Sequence, residues 1–262
     1  MFAALPAYGP ELSIADLNRL AAREAIRFAA QTDALLADGL HYEERIARDG
    51  AIATREGSTH DLFNALIWLG HAALKRAMNA RQVADIARVG PKQRTRGQCA
   101  LTHFDEAGAI VWVEDTAPLA AWDAHDWRAL FLDARGAWGA TIAVTLIGHA
   151  LFDHALAHRE YPVAKALVVR VTRADIEARS QGALIPAWPE AERIVADAIV
   201  RSRLLADPQE LRPLPLAGIW SPRSESPEFY ATAPCFRPLR AGRHYPAPFE
   251  LAAGDASGPP GR

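Results

Sequence analysis

The chain has 262 residues, half of them hydrophobic and 23% charged, with a formal net charge of −2; that length suits one large domain or two small ones of ordinary globular composition. The near-neutral balance removes the electrostatic case for nucleic acid or an acidic membrane surface as partner, and no apolar run is long enough to span a bilayer. Cys99 and Cys235 are the only cysteines, and Met1 to Pro10 lack the basic start and apolar run of a secretory signal; the chain reads as cytoplasmic, with neither a disulfide framework nor a zinc knuckle.

Ser13 is placed to cap a helix from Ile14, with Leu17, Leu20, Ala21, Ile26 and Ala29 on its core face and Gly39 closing a second piece. Tyr42 to Ile46 and Ala51 to Thr54, joined through Asp49-Gly50, have the pattern of a short hairpin. Ser58, with Asp61 three residues on, opens the strongest helical signal of the chain, over 59–79. Residues 81–97 are basic, but Pro91 and Gly97 interrupt them, and without interleaved aromatics they read as a solvated connector. Cys99 to Phe104 and Ala109 to Val113 predict a second hairpin turning through Asp105-Glu106-Ala107-Gly108. Asp123 to Arg135 predicts a short helix, and Thr141 to about His158 a long one. Ala166 to Val171 predicts a strand, and Pro189 to about Leu205 a further helix. Beyond Asp207 the chain is Pro-rich, and from Leu251 its composition is that of a disordered tail. Helices outnumber strands, and no glycine-rich phosphate or dinucleotide loop is present. The predicted class is α+β: a helix-dominated single domain over 1–250, with one or two β-hairpins, an irregular Pro-rich C-terminal segment and a tail over 251–262.

At about 100° per residue, His60, Asn64, Trp68, His71, Lys75 and Asn79 share one stripe of the 59–79 helix, opposite an apolar face of Leu62, Ala65, Leu66 and Leu69. A merely wet face would carry Glu, Lys and Arg; His, Asn and Trp make directional contacts. His60 and Asp61 sit in the first turn, where free N–H groups favour anions and lower the pKa of a nearby His. His60 is therefore a candidate general base or metal ligand, Asp61 its orienting partner and Asn64 a group to position water or a carbonyl. Capping alone accounts for Asp61, but not for His60 or Asn64. Arg55, just ahead of the helix, is placed to meet an anion. On a straight rod, Lys75 and Asn79 lie roughly 20 Å or more from His60 and would not share a small substrate with it. Trp68 reads first as core and second as a stacking surface.

Asp105 and Glu106 read first as hairpin-turn residues and second as a carboxylate pair. His149 interrupts an apolar face and needs a polar partner. His154 and His158 have the four-residue spacing of a zinc helix, but Ala155 stands where such helices carry Glu. His41 is the weakest candidate for an upstream metal-binding His.

Tyr42-Glu43, Arg45-Ile46, Thr54-Arg55, His60 to Trp68, Lys75 with Asn79-Ala80, Leu101 to Glu106, Gly148 to Leu151, Leu214-Pro215, Phe229-Tyr230 and Phe236-Arg237-Pro238 stand out as blocks along the chain. Together they resemble the signature of a bacterial family catalogued as domain of unknown function number 3025. Where that family carries Gly-Ile-Pro-Gly-Trp, this chain has Gly218-Ile219-Trp220-Ser221. The resemblance covers about residues 42–240 and brings no activity or cofactor with it. It implies that Arg55, His60, Asp61, Asn64, Trp68, Asp105, Glu106 and His149 form one set, and that the C-terminal blocks wrap back over the domain.

Two functions are expected from this pattern. In the first, the chain is a hydrolase of a small anionic or phosphoester substrate. His60, Asp61 and Asn64 are then catalytic, and Arg55, Trp68, Asp105, Glu106 and His149 bind substrate, with room for a divalent metal. In the second, it is a non-catalytic binding or scaffold protein whose polar stripe is a structural hydrogen-bond network. A solvent-reachable cavity shared by His60, Asp61, Asn64 and His149 would discriminate between them.

Overall fold

In the computed structural model, which describes residues 12–23, 25–179, 182–185 and 187–251, the first elements build a small unit around two parallel strands. Ser13 caps α1 (Ile14–Leu20) by accepting from the Asp16 N–H. The chain continues through β1 (Arg27–Ala30), the single turn α2 (Asp33–Leu36), α3 (Tyr42–Asp49) and β2 (Ala51–Thr54), with Arg27 of β1 opposite Ala51 of β2. Residues 42–46 are thus helical, correcting the first predicted hairpin. His41 and Glu44 close a reciprocal cap over the first turn of α3, and Gly50, at φ 61°, ends it. The Asp49-Gly50 pair terminates a helix instead of turning a ribbon.

The rod predicted over 59–79 is two helices, α4 (Thr59–Gly70) and α5 (Ala72–Val89). Ser58 caps the first, accepting from the Asp61 N–H at 3.2 Å. His71 leaves helical geometry at φ −131° and ψ 42°, and its Nδ1 lies 3.0 Å from the buried Glu192 carboxylate. α5 absorbs the first part of the basic stretch, and α6 (Arg96–Ala107) starts in the second part under a Thr95–Gln98 capping box. This overturns the hairpin expected over 99–113: residues 99–107 are helical, and β3 (Gly108–Val113) alone is strand. Ala100, Leu101 and Phe104 fit both periods in so short a run. Burial of all three against α5 and the sheet decides for the helix.

Next come α7 (Ala117–Asp123), a π-helical turn over Ala129–Asp133, β4 (Ile142–Leu146), α8 (His149–Leu156), β5 (Val163–Arg170), α9 (Arg173–Arg179) and α10 (Pro189–Val200). The helix expected from Thr141 is therefore a strand and a helix, and the one expected from Asp123 is two separate turns. The Pro-rich region holds β6 (Arg212–Pro215), α11 (Ala217–Trp220), α12 (Pro227–Thr232) and β7 (Phe249–Glu250). Leu251 still donates its N–H to Arg170 O; residues 252–262, the rest of the expected tail, lie outside the described residues.

The main sheet has the order β4-β3-β5-β6, with β7 joining the end of β5. β3 is antiparallel to β4 and parallel to β5. Ile110 and Trp112 of β3 enter one cluster with residues of α5, α6 and α10, while Ala109, Val111 and Val113 enter another with Trp122, Phe131, Phe229 and Phe236. Both faces are covered, which is why β3 reads as an unbroken apolar run and β4 is interrupted only by Thr145, which accepts from Trp112 Nε1. A third cluster joins Phe28 and Ile52 to Leu62 and Trp68. The fold is α+β and helix-dominated. Among the described residues, no helix is long and apolar enough to cross a membrane.

Candidate active site

Three helix ends meet. His60 lies in the first turn of α4, His149 is the first residue of α8, and Glu106 is in the last turn of α6. α4 and α8 are joined by Thr59 Oγ1 donating to Asp153 Oδ1 at 3.0 Å and by the Phe63 and Phe152 rings, 5.8 Å apart. Gly148 sets the remaining approach. A Cβ there would lie 2.4 Å from Ala107 Cα and from the Gly108 nitrogen, so only glycine lets α8 start against the end of α6. Gly108 O accepts from both the Ile147 and Gly148 N–H groups.

This junction brings the Nε2 atoms of His60 and His149 to 3.1 Å, with Glu106 Oε2 3.5 Å from the latter. One ligand atom from each of the three residues lies within 4.8 Å of the others. Burial pushes the His149 imidazole below its ordinary value; the Asp105 carboxylate opposes this and the Lys75 cation adds to it. The neutral ring that results is the form that ligates metals. Its Nδ1 is buried with no hydrogen-bond partner among the described residues, so packing alone holds the back of the ring.

The three groups lie on a cleft of about 330 Å³, also lined by Arg55, Asp61, Asn64 and Asp105. Of the residues expected at the site, Trp68 alone does not line it. It is buried in the N-terminal cluster, and the Lys75 ammonium stands 5.2 Å from its ring centre. Asp105 and Glu106 reach the cleft from the last turn of a helix, not from a hairpin turn.

Two expected roles are reversed. Asp61 does not orient His60: its carboxylate accepts from Arg55 Nε at 3.0 Å, Nη2 at 2.8 Å and the Arg55 backbone N–H at 2.7 Å. Burial works to raise this carboxyl, yet those donors hold it below the usual carboxylate range. Arg55 is correspondingly committed to Asp61 and is not a free anion clamp.

Polar groups bond one another along the wall of the cleft and behind it. Asn64 donates to Tyr42 Oη at 3.1 Å and accepts from Lys75 Nζ at 2.9 Å, and Lys75 also pairs with Asp105. Asn79 donates to Glu43 O at 2.9 Å and to Glu43 Oε2 at 2.6 Å. Burial pushes both the Tyr42 hydroxyl and the Glu43 carboxyl up, and the Asn79 donation offsets only part of the shift at Glu43. Asn64 is engaged at both ends of its amide. Lys75, expected far away, is its neighbour: eleven residues of straight helix would separate them by about 16 Å, but the break at His71 folds α5 back.

Tyr42, Glu43 and Arg94 line the same cleft and were not legible as site residues. By sequence, Tyr42 and Glu43 fall in the predicted hairpin, and Arg94 is one of several cations in a basic run. Arg94 is exposed, its Nη2 3.3 Å from Thr102 Oγ1, and among the described residues it has no carboxylate partner. His41 also lines the cleft, but its Nδ1 accepts from the Glu43 N–H as a helix cap. His154 and His158 do not form a helical pair, because α8 ends at Leu156 and His158 has φ 53°.

The family model described as protein of unknown function (DUF3025) matches residues 26–240. The chain belongs to this DUF3025 family. Its matched span contains the whole His60, Glu106 and His149 convergence. No curated protein and no solved structure matches the chain.

The donor set itself indicates what this DUF3025 site can hold. Two imidazoles and a carboxylate with one side open to solvent are the donor types of catalytic zinc and related divalent ions. Ligands about 2.1 Å from a tetrahedral ion stand roughly 3.4 Å apart; the His60–His149 and His149–Glu106 separations of 3.1 and 3.5 Å bracket that value, and the third pair lies within 4.8 Å.

Proposed function

We propose that this protein is a metal-dependent hydrolase of a small anionic substrate, with a phosphoester as the favoured class. The observation that carries the reading is the approach of His60, His149 and Glu106 to one point on the wall of a polar, solvent-open cleft. A divalent ion held there would lower the pKa of a bound water and offset charge on the substrate. Hydrolysis then needs no redox partner: the water oxygen bonds to the phosphorus or acyl carbon, and a proton leaves with the departing oxygen.

The charge balance of the cleft supports an anion. Asp61 is neutralised by Arg55 and Asp105 by Lys75, which leaves Glu43 and Glu106 as the acids to be balanced. A divalent cation on Glu106, with Arg94 at the rim, leaves the cleft net positive. The N-termini of α4 and α8 add to this potential. Arg94 replaces Arg55 as the substrate-facing cation. The scaffold reading fits the Tyr42–Asn64–Lys75–Asp105 network at the cleft wall, but gives no purpose to two imidazoles and a carboxylate converging beside solvent.

The test is titration of the chelator-treated protein with Zn²⁺ and Mn²⁺ by calorimetry and thermal denaturation, followed by turnover assays with aryl phosphomonoesters and phosphodiesters. One site should appear, stabilising the fold by about 2.7 kcal/mol at a hundredfold excess over Kd. His60→Ala and His149→Ala should each abolish that shift while the variants stay folded. Unchanged metal binding in both variants sinks the centre. Metal binding without turnover of any phosphoester sinks the substrate assignment.

A further inference from the structure

A second cavity, of about 430 Å³, lies on the other side of α8. The helix acts as a partition: its first residue, His149, faces the cleft, whereas Leu151, Phe152 and Ala155 line this cavity. The opposite wall comes from Leu216 and Trp220 in and beside α11. The volume falls within the range of small-molecule sites, and apolar walls with a few polar groups at one end are their usual composition.

The polar end is cationic. Arg159 and Arg223 stand at the rim, both exposed. Among the described residues neither is paired with a carboxylate: Arg223 reaches only the Tyr161 hydroxyl at 3.3 Å and the Phe229 ring at 5.0 Å. Glu160, the one acid on the lining, meets the Tyr161 hydroxyl that Arg223 also reaches and forms an ion pair with neither arginine, so the two cations outnumber it. Two guanidinium groups without a carboxylate partner among the described residues, at the mouth of an apolar hollow, complement an anionic head on an apolar tail.

We propose that this cavity binds a carboxylate with an apolar tail, of medium-chain fatty-acid size, with the tail against Phe152 and Trp220 and the head at Arg159 and Arg223. The assignment is independent of the metal centre.

Calorimetric titration of the full chain with decanoate and decyltrimethylammonium below their micelle concentrations, and with decanol below its solubility limit, tests it. Decanoate should bind at one site, with decanol about tenfold weaker or worse and the cation undetectable. Replacing both arginines (Arg159→Glu with Arg223→Glu) should weaken decanoate about tenfold or more and leave decanol unchanged. Ala155→Trp, which fills the cavity, should remove both ligands in a protein whose melting stays cooperative. Equal affinity for decanoate and decanol, or decanoate binding that survives Ala155→Trp, overturns the proposal. So does sedimentation showing a concentration-dependent dimer that excludes decanoate, since the face would then be covered by a second copy.

Discussion

Lys75 shows how one residue can serve a site without reaching into it. It is buried, it bonds Asn64 and Asp105, and its ammonium lies over Trp68. Removing one partner of a buried ion pair leaves the other charge uncompensated, which costs more than the pair itself contributes. Lys75→Met should therefore destabilise the protein by about 2–4 kcal/mol, somewhat under the full buried-pair cost because Asp105 keeps some solvent access. Urea denaturation measures this. Lys75→Met combined with Asp105→Asn should recover part of the loss, and a double variant no better than the single one would show that Asp105 is not the group left stranded. The sequence showed Lys75 on the same stripe as His60 and Asn64. It did not show that the stripe bends: the residue that His71 meets at the bend, Glu192, lies 121 residues away.

At the scale of elements, the site depends on α6 and α8 touching end to end. Gly148 permits this, and its replacement by Ala pushes a methyl group into the Ala107–Gly108 backbone. Overpacking of this kind costs about 1–3 kcal/mol, and here the relaxation separates His149 from Glu106. Gly148→Ala should lower the urea midpoint and weaken Zn²⁺ binding in calorimetry more than its stability loss alone explains; undiminished metal affinity would show that the junction does not position the ligands. Gly148 lies inside the segment from Thr141 to about His158 that reads as one helix. A strand buried on both faces lacks the alternation that identifies an amphipathic strand, so β4 was absorbed into that helix. The exchange of a hairpin for α6 has a related cause. Residues 99–106 satisfy either period, and the choice depends on what packs beside Leu101 and Phe104.

At the scale of the whole molecule, ion-paired carboxyls make the fold sensitive to acid, Asp38 and Asp207 among them. Hydrogen bonds from Arg45 bring the Asp38 carboxyl down to about 2, and those from Arg96 do the same for Asp207. The first pair fixes the loop into α3, and the second ties the C-terminal region to α6. A carboxyl whose folded pKa lies below its unfolded value of about 3.9 favours the native state at any pH above that value. The contribution is lost as pH falls through the folded value near 2. Urea midpoints measured from pH 5 down to 2 should fall along this limb, and Asp38→Asn or Asp207→Asn should each flatten it. A limb of unchanged steepness in both variants would assign acid unfolding to other groups.

By itself, the sequence determined what depends on neighbours within a few residues. Ser13 and Ser58 are helix caps, helices dominate the chain, and an unusual His-Asp-x-x-Asn stripe follows Arg55. Blocks spread from Tyr42 to Pro238 mark the family. Tertiary structure decided which partner each polar group takes: Asp61 grips Arg55, His60 faces His149, and Glu106 arrives from a helix end. The reason is physical. A cap or a periodic face gains its free energy from local hydrogen bonds and burial. A ligand set exists only once segments distant in the chain are brought within about 5 Å, and nothing local in the sequence specifies that approach.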